Sequence, residues 1–337
     1  MQRTLGFLAG AALVVVAFTG CGKGTVIDGN TVAPTATPVV PHTTSEYTIP
    51  TASSGPAGIA RGADGNLWFA ELSGNKIGRL DTTATFNEFP VPTAGAGPLG
   101  IAAGPDGNLW FTESTGNKIA KINLNGSLIV EYPIPTANSQ PGALAVGSDG
   151  ALWFTEQNAS KIGRITTAGV ITEFTIPTAA SFPVSIAAGP DGALWFTEQN
   201  ASKIGRITTA GAIAEYPTTT AAAQPQGIVV GADGALWFAE RAAKKLGRIS
   251  VTGVVTNEFA LGNAQSIANL VLGADNNIYF TDPTGNAIGQ FLTGTSVAST
   301  FAVPTTNAGV YALAIGPDLR IYYTESLGNK LGQFQYF

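Results

Sequence analysis

The sequence predicts an all-β protein: a seven-bladed β-propeller of four-stranded antiparallel blades, closed by its own N-terminal strand. Three observations predict it. Residues 191–211 repeat residues 149–169 letter for letter at an offset of 42, and looser copies surround them. Aligned on the aromatic that follows Asp-Gly-x-Leu, the copies fall at Trp68, Trp110, Trp153, Trp195, Trp237, Tyr279 and Tyr322, in steps of 42 or 43. A fixed period of this size marks a repeat architecture. The third observation is that every copy breaks into short apolar runs separated by turn signals, with no helical periodicity, which sets aside helical and leucine-rich repeats. A chain of hairpins also accounts for 42 glycines and 20 prolines.

The second copy shows the elements in order. Residues 99–104 form a run of small and β-branched residues, and Asp106-Gly107 supplies the positive-φ positions of a tight turn. An aromatic-rich strand follows at 109–113, a second turn at 114–117, a third strand at 118–122, a turn at Asn125-Gly126 and a fourth strand at 127–133. The apolar runs are close to continuous, so both faces of each small sheet should be covered. Small antiparallel sheets stacked face to face at this period are blades of a propeller.

Along the chain, residues 1–20 read as a signal peptide: Arg3 precedes an unbroken apolar and small-residue stretch at 5–17, too short for a membrane span. The segment ends in Phe18-Thr-Gly-Cys21 and resembles a lipoprotein signal, with Phe18 where leucine is usual. Cys21, the single cysteine, would be lipidated, and disulfides are excluded. Gly22 and Lys23 carry no aspartate retention signal, which points to an outer membrane or cell-surface location. Residues 21–45 are Thr- and Pro-rich and read as an extended tether, with His42, the one histidine, as a solvated turn residue. The propeller proper is expected at 46–337. It opens on Ser45-Glu-Tyr-Thr-Ile-Pro50, which matches the fourth strands at Glu131 and Glu173, and closes on a third strand without a fourth. The two defects complement each other, so the N-terminal strand should complete the last blade and leave no open edge.

Charged residues make up 12% of the chain and its net charge is −5, so nothing offers the basic footprint that nucleic acid requires. No second transmembrane segment or amphipathic helix appears, and a monomer is expected.

The repeat Gly-Pro-Asp-Gly-x-Leu-Trp-Phe-Thr-Glu, then Asn-Lys-Ile-Gly-Arg-Ile, then Glu-Phe/Tyr-x-x-Pro, resembles the virginiamycin B lyases over about residues 46–337. The resemblance implies a propeller and, in active members, magnesium-assisted elimination that opens a cyclic depsipeptide with a histidine base. It places histidines at x of Pro-x-Gly-Ile in two adjacent repeats. It also places one metal-binding Glu two residues before such a histidine and another at the end of that repeat's aromatic strand. Here the x positions are Ala57, Leu99, Gly142, Val184, Gln226, Ala268 and Tyr311. Two residues earlier stand Gly55, Gly97, Gln140, Phe182, Gln224, Ser266 and Gly309. None is a histidine or an acid. Abstracting a carbon-bound proton needs a base of suitable pKa and something to stabilise the developing charge. Catalytic residues are therefore expected to be none. Magnesium enters only with the lyase alternative, and otherwise no cofactor is expected.

The strand-end acids Glu71, Glu113, Glu156, Glu198, Glu240, Asp282 and Glu325 survive as a ring. Six face a lysine across the hairpin, namely Lys76, Lys118, Lys161, Lys203, Lys245 and Lys330, and pairing between each acid and its lysine is the first expectation; a shared cation or ligand site is the second. Asp282 faces Ala287 and stands apart. The tryptophan column reads as inter-blade packing rather than a sugar-stacking platform. At the channel mouth, Gln226, Tyr311, Leu99 and Val184 offer side chains for a ligand. The functional expectation is a lipid-anchored binding or scaffolding module for a protein, peptide or glycan. The alternatives are a lyase of the type just described or a metal-dependent hydrolase like the sugar-lactonase propellers.

Overall fold

The structure, a computed structural model, describes residues 42–336; Cys21, the expected signal peptide and nearly all of the expected tether lie outside them. The described residues form seven four-stranded antiparallel sheets and no helix. Blades 1 to 6 occupy residues 56–90, 98–133, 141–175, 183–217, 225–260 and 270–302. Blade 7 takes three strands from residues 310–335 and its outermost strand from Thr43–Thr48, which pairs antiparallel with Lys330–Gln335 from Thr43 opposite Gln335 to Thr48 opposite Lys330. The two chain ends therefore close the ring, as the sequence requires.

Blade 2 shows why these residues form these elements. Its strands run Pro98–Ala103, Leu109–Glu113, Lys118–Ile122 and Ile129–Pro133, from the central channel outward. The turn aspartate does more than bend the chain: Trp110 Nε1 donates to Asp106 Oδ1 at 2.9 Å, so the residue that makes the first hairpin also satisfies the buried indole. The same bond recurs at Trp153 with Asp149 and Trp195 with Asp191, and the tyrosines Tyr279 and Tyr322 donate their hydroxyls to Asp275 and Asp318.

The core lies between blades rather than inside one. Trp110 and Ile119 of blade 2 pack with Leu152 and Phe154 of blade 3, and equivalent clusters fill the other seams. Trp68, Trp110, Trp153 and Trp195 are fully buried, so the column is packing, as expected. At about 25 cal/mol per Å² and roughly 200 Å² per indole, each contributes on the order of 5 kcal/mol of gross burial.

The tether expectation is corrected at its end. The first strand starts at Thr43, before residue 46, and His42 is half-buried rather than solvated: its ring stacks on Phe301 at 4.0 Å and on Phe334 at 5.3 Å. Covering aromatic surface favours this placement over free solvation, and burial lowers the imidazole pKa, so the ring is neutral at physiological pH.

Candidate functional site

Pro-x-Gly-Ile opens the innermost strand of blades 1, 2 and 5, and looser versions stand at the same place in the others. There the pairing slips between Pro98 and Ile101, and the equivalent slip occurs in blades 1, 3, 4, 5 and 7. The backbone carbonyl of x faces the preceding blade. Threonines of the second strands then grip it. Thr112 Oγ1 donates to the carbonyl of Gly142 at 2.8 Å, Thr197 Oγ1 to Gln226 at 2.6 Å and Thr324 Oγ1 to Ala57 at 2.8 Å. Each threonine also accepts the N–H that follows x in its own blade, as Thr112 does from Gly100. Where glycine follows x the approach is close: a Cβ on Gly100 would strike the carbonyl oxygen of Gly142, and Gly58 and Gly227 are held the same way. These threonines position the x residues, and nothing in the sequence marks them beyond their place in the repeat.

Around the channel mouth the x residues converge on a cavity of about 360 Å³. Leu99, Val184, Gln226 and Tyr311 all line it, together with Gln157, Asn269 and Arg241. Ala57 does not line it and is buried. Tyr311 is 44% exposed at the mouth, and desolvation by the surrounding walls raises its pKa, which keeps the hydroxyl neutral and able to donate. Arg241 is the only formally charged residue in the lining, contributed by the hairpin that follows the acid Glu240. The sequence reading missed Arg241 because it lies one residue beyond the repeat consensus, where the other copies vary.

The acid ring is elsewhere. Glu71, Glu113, Glu156, Glu198, Glu240 and Glu325 are completely buried and line no part of the mouth, and no lysine reaches the carboxyl oxygens of any of them. The expected pairing with lysine is overturned. Each lysine reaches outward to a fourth-strand glutamate, at 2.5 to 3.4 Å: Lys76 to Glu88, Lys118 to Glu131, Lys161 to Glu173, Lys203 to Glu215, Lys245 to Glu258 and Lys330 to Glu46. A threonine of the preceding linker completes this latch; Thr93, for example, donates its N–H and hydroxyl to Glu131 at 2.9 and 2.8 Å. The reason is access. The outer glutamate sits where the lysine can keep its ammonium partly hydrated, whereas the strand-end acid lies under the hairpin.

Two carboxyls beside one ammonium hold one proton. Burial first, and repulsion from the outer glutamate second, push Glu113 up to about 8 and Glu71 up to about 7, while hydrogen bonds from lysine and threonine hold Glu131 below the usual carboxylate range. Asp282 does stand apart, as expected. It accepts from the backbone amides of Gln265, Ser266 and Gly285 at 2.8 to 2.9 Å, in the one blade where Ala287 and Thr300 replace the lysine and the outer glutamate.

The donor set at the mouth does not fit magnesium. The ion demands several oxygens in near-octahedral array, usually with carboxylates among them, and the lining holds amides, hydroxyls and a cation but no acid. Asp282 is already consumed by backbone amides. Among the described residues no three His, Cys, Asp or Glu side chains stand close enough to share a metal. His42, beside the outermost strand, is separated from the channel by a whole blade, about 14 Å at 4.8 Å per strand spacing.

The sequence model of the Virginiamycin B lyase family matches residues 25–257 and 185–336. A solved structure described as a streptogramin B lyase superposes with a TM-score of 0.83 at 36% identity, covering 88% of this chain and 98% of its own. Virginiamycin B lyase from Staphylococcus aureus superposes equally well at 33% identity, covering 88% of this chain and all of its own; a catalytically inactive histidine-to-alanine variant of it, with quinupristin, does the same. A hydrazine synthase from Kuenenia stuttgartiensis, 15% identical with a TM-score of 0.68, shares the fold alone. On sequence, blade architecture and ring closure together, this chain belongs to the virginiamycin B lyase family.

Proposed function

We propose that this chain is an extracytoplasmic, lipid-anchored binding propeller that takes its ligand at the channel mouth and does not open depsipeptides. One observation carries the reading: the mouth cavity combines an apolar wall, three carboxamides and Tyr311 with the single charge of Arg241, and contains no base. Such a lining binds; it has no group of suitable pKa to remove a carbon-bound proton. The staphylococcal relative is named catalytically inactive when one histidine becomes alanine, and here alanine, leucine, glycine, valine, glutamine and tyrosine occupy every equivalent of the family's histidine sites. Arg241 opposite apolar residues favours a ligand with an apolar body and an anionic end, such as the free C-terminus of a peptide. Lipidation of Cys21 would hold the domain at the membrane surface, with the Thr- and Pro-rich segment as spacer.

The test has two arms. Full-length protein is incubated with a type B streptogramin and magnesium, and ring opening is followed by mass spectrometry; intact antibiotic is expected. In parallel, apolar hexapeptides with free or amidated C-termini are titrated by calorimetry. Preference for the free carboxylate, lost in Arg241→Ala, supports the reading. Linear product that a single mouth or ring-acid variant abolishes would sink it in favour of the lyase, the alternative favoured by the family membership itself.

A further inference from the structure

At four seams of the ring, a hairpin of one blade covers the outer aromatic of the blade before it. Gly126, Gly169, Gly211 and Gly253, all at φ between 73° and 91°, lie flat on Phe89, Tyr132, Phe174 and Tyr216, so close that a Cβ on any of them would overlap the ring. At the seam between blades 5 and 6 no glycine makes this contact; Phe291 of blade 6 packs against the edges of Phe259 and Trp237 instead, at 5.0 and 5.6 Å. In blade 5 five residues join Lys245–Ile249 to Val255–Ala260, whereas in blade 6 only four join Ala287–Leu292 to Val297–Ala302. The shortened hairpin holds its glycine, Gly294, away from everything.

Beside these rings is a cavity of about 290 Å³ floored by the partly buried Phe259, with the ring of Trp237, only 3% exposed, stacked behind it at 5.6 Å. Its walls come from the first hairpin of blade 5 and the shortened hairpin of blade 6, the end of the blades opposite the channel mouth. The rim is polar and neutral. Asp233 accepts from Arg248 Nε at 2.7 Å, and Arg248 Nη1 donates to Thr256 at 2.7 Å. The carboxylate here is opened to the groove: its side chain is 39% exposed, against 18% and 16% for its counterparts Asp149 and Asp191. Asn257, Asn276 and Thr293 complete the rim.

An anion entering this site meets Asp233, and a cation meets Arg248, so neither gains from the paired charges. A neutral molecule with a C–H face for the aromatic floor and several hydroxyls gains on both counts. Carboxylate, guanidinium and two carboxamides supply acceptors and donors side by side, which is what adjacent hydroxyls, each both donor and acceptor, require. The volume, at the small end of ligand sites, admits one such ring. We propose that the seam between blades 5 and 6 is a second ligand site, specific for a neutral pyranose unit of a saccharide and separate from the channel mouth.

The experiment titrates full-length protein with cellobiose, maltose and N,N′-diacetylchitobiose by calorimetry and saturation-transfer NMR, up to roughly 20 mM, since one sugar on a shallow site binds in the millimolar range. Saturable one-to-one binding of at least one disaccharide is expected. Asn257→Ala and Thr293→Trp, the first removing rim hydrogen bonds and the second filling the groove, should each weaken it about tenfold with the melting temperature unchanged. No saturable binding by any of the three sugars overturns the proposal, as does an affinity indifferent to Asn257→Ala. Peptide binding at the mouth is read separately, so the two sites stand or fall independently.

Discussion

Raising the pH should destabilise this propeller through carboxyls that the fold keeps protonated, and Glu113 lets the effect be isolated. Its carboxyl is fully buried, bonded to no cation, and faces Glu131 of the Lys118–Glu131 pair. Burial and the neighbouring carboxylate raise it from 4.5 to about 8. Between those values the folded state holds a proton that the unfolded chain has released. Stability therefore falls as pH rises through the window and levels off above it, with a limiting slope of ~1.4 kcal/mol per pH unit. From about pH 5 to about pH 8 one such group contributes a loss of roughly 3 kcal/mol. Six groups acting in full would exceed the whole stability of a typical domain, about 5–15 kcal/mol, so a single-site comparison is the informative one. Glu113→Gln keeps the shape and a donor toward Glu131 but cannot ionise. Urea unfolding of wild type and variant is measured at each pH from about 5 to 9. The variant should gain on wild type by roughly 3 kcal/mol across that range. Parallel curves, within about 0.5 kcal/mol at every pH, would refute the buried, proton-holding carboxyl.

Three further outcomes follow from the same geometry. Deleting residues 43–48 removes the outer strand of blade 7 and the bonds of Glu46 to Lys330 and Thr305 at 2.6 to 2.9 Å; a fall in melting temperature of more than about 10 °C is expected by calorimetry, and an unchanged transition contradicts the closure. Gly253→Ala should cost about 2–4 kcal/mol in denaturant unfolding because its Cβ strikes Tyr216 at positive φ, whereas Gly294→Ala, with open space around it, should stay within about 0.5 kcal/mol. Cys21→Ser should move the full-length protein from the detergent phase to the aqueous phase in a partition assay, and equal partitioning contradicts lipid anchoring.

The period of 42 or 43, the Asp-Gly turns and the complementary termini determined the blade count, the strand order within a blade and the closure, because hairpins are local and a repeat multiplies each local signal sevenfold. The same period also brought Leu99, Val184, Gln226 and Tyr311 to one cavity, since each stands at the same place in its repeat. What neighbours a side chain across a seam was not legible. Lys118 stands opposite Glu113 in the register yet pairs with Glu131, because burial under the hairpin makes an ion pair there costly while the outer strand leaves the ammonium partly in water. Arg241 at the mouth and the groove beside Phe259 likewise depend on how one hairpin meets the next blade; in blade 6 the strands pair one step further, Leu292 with Val297, where blade 5 has a register shift. Local hydrogen bonding writes itself into sequence at short range; solvent access and contacts between blades exist only once the ring has closed.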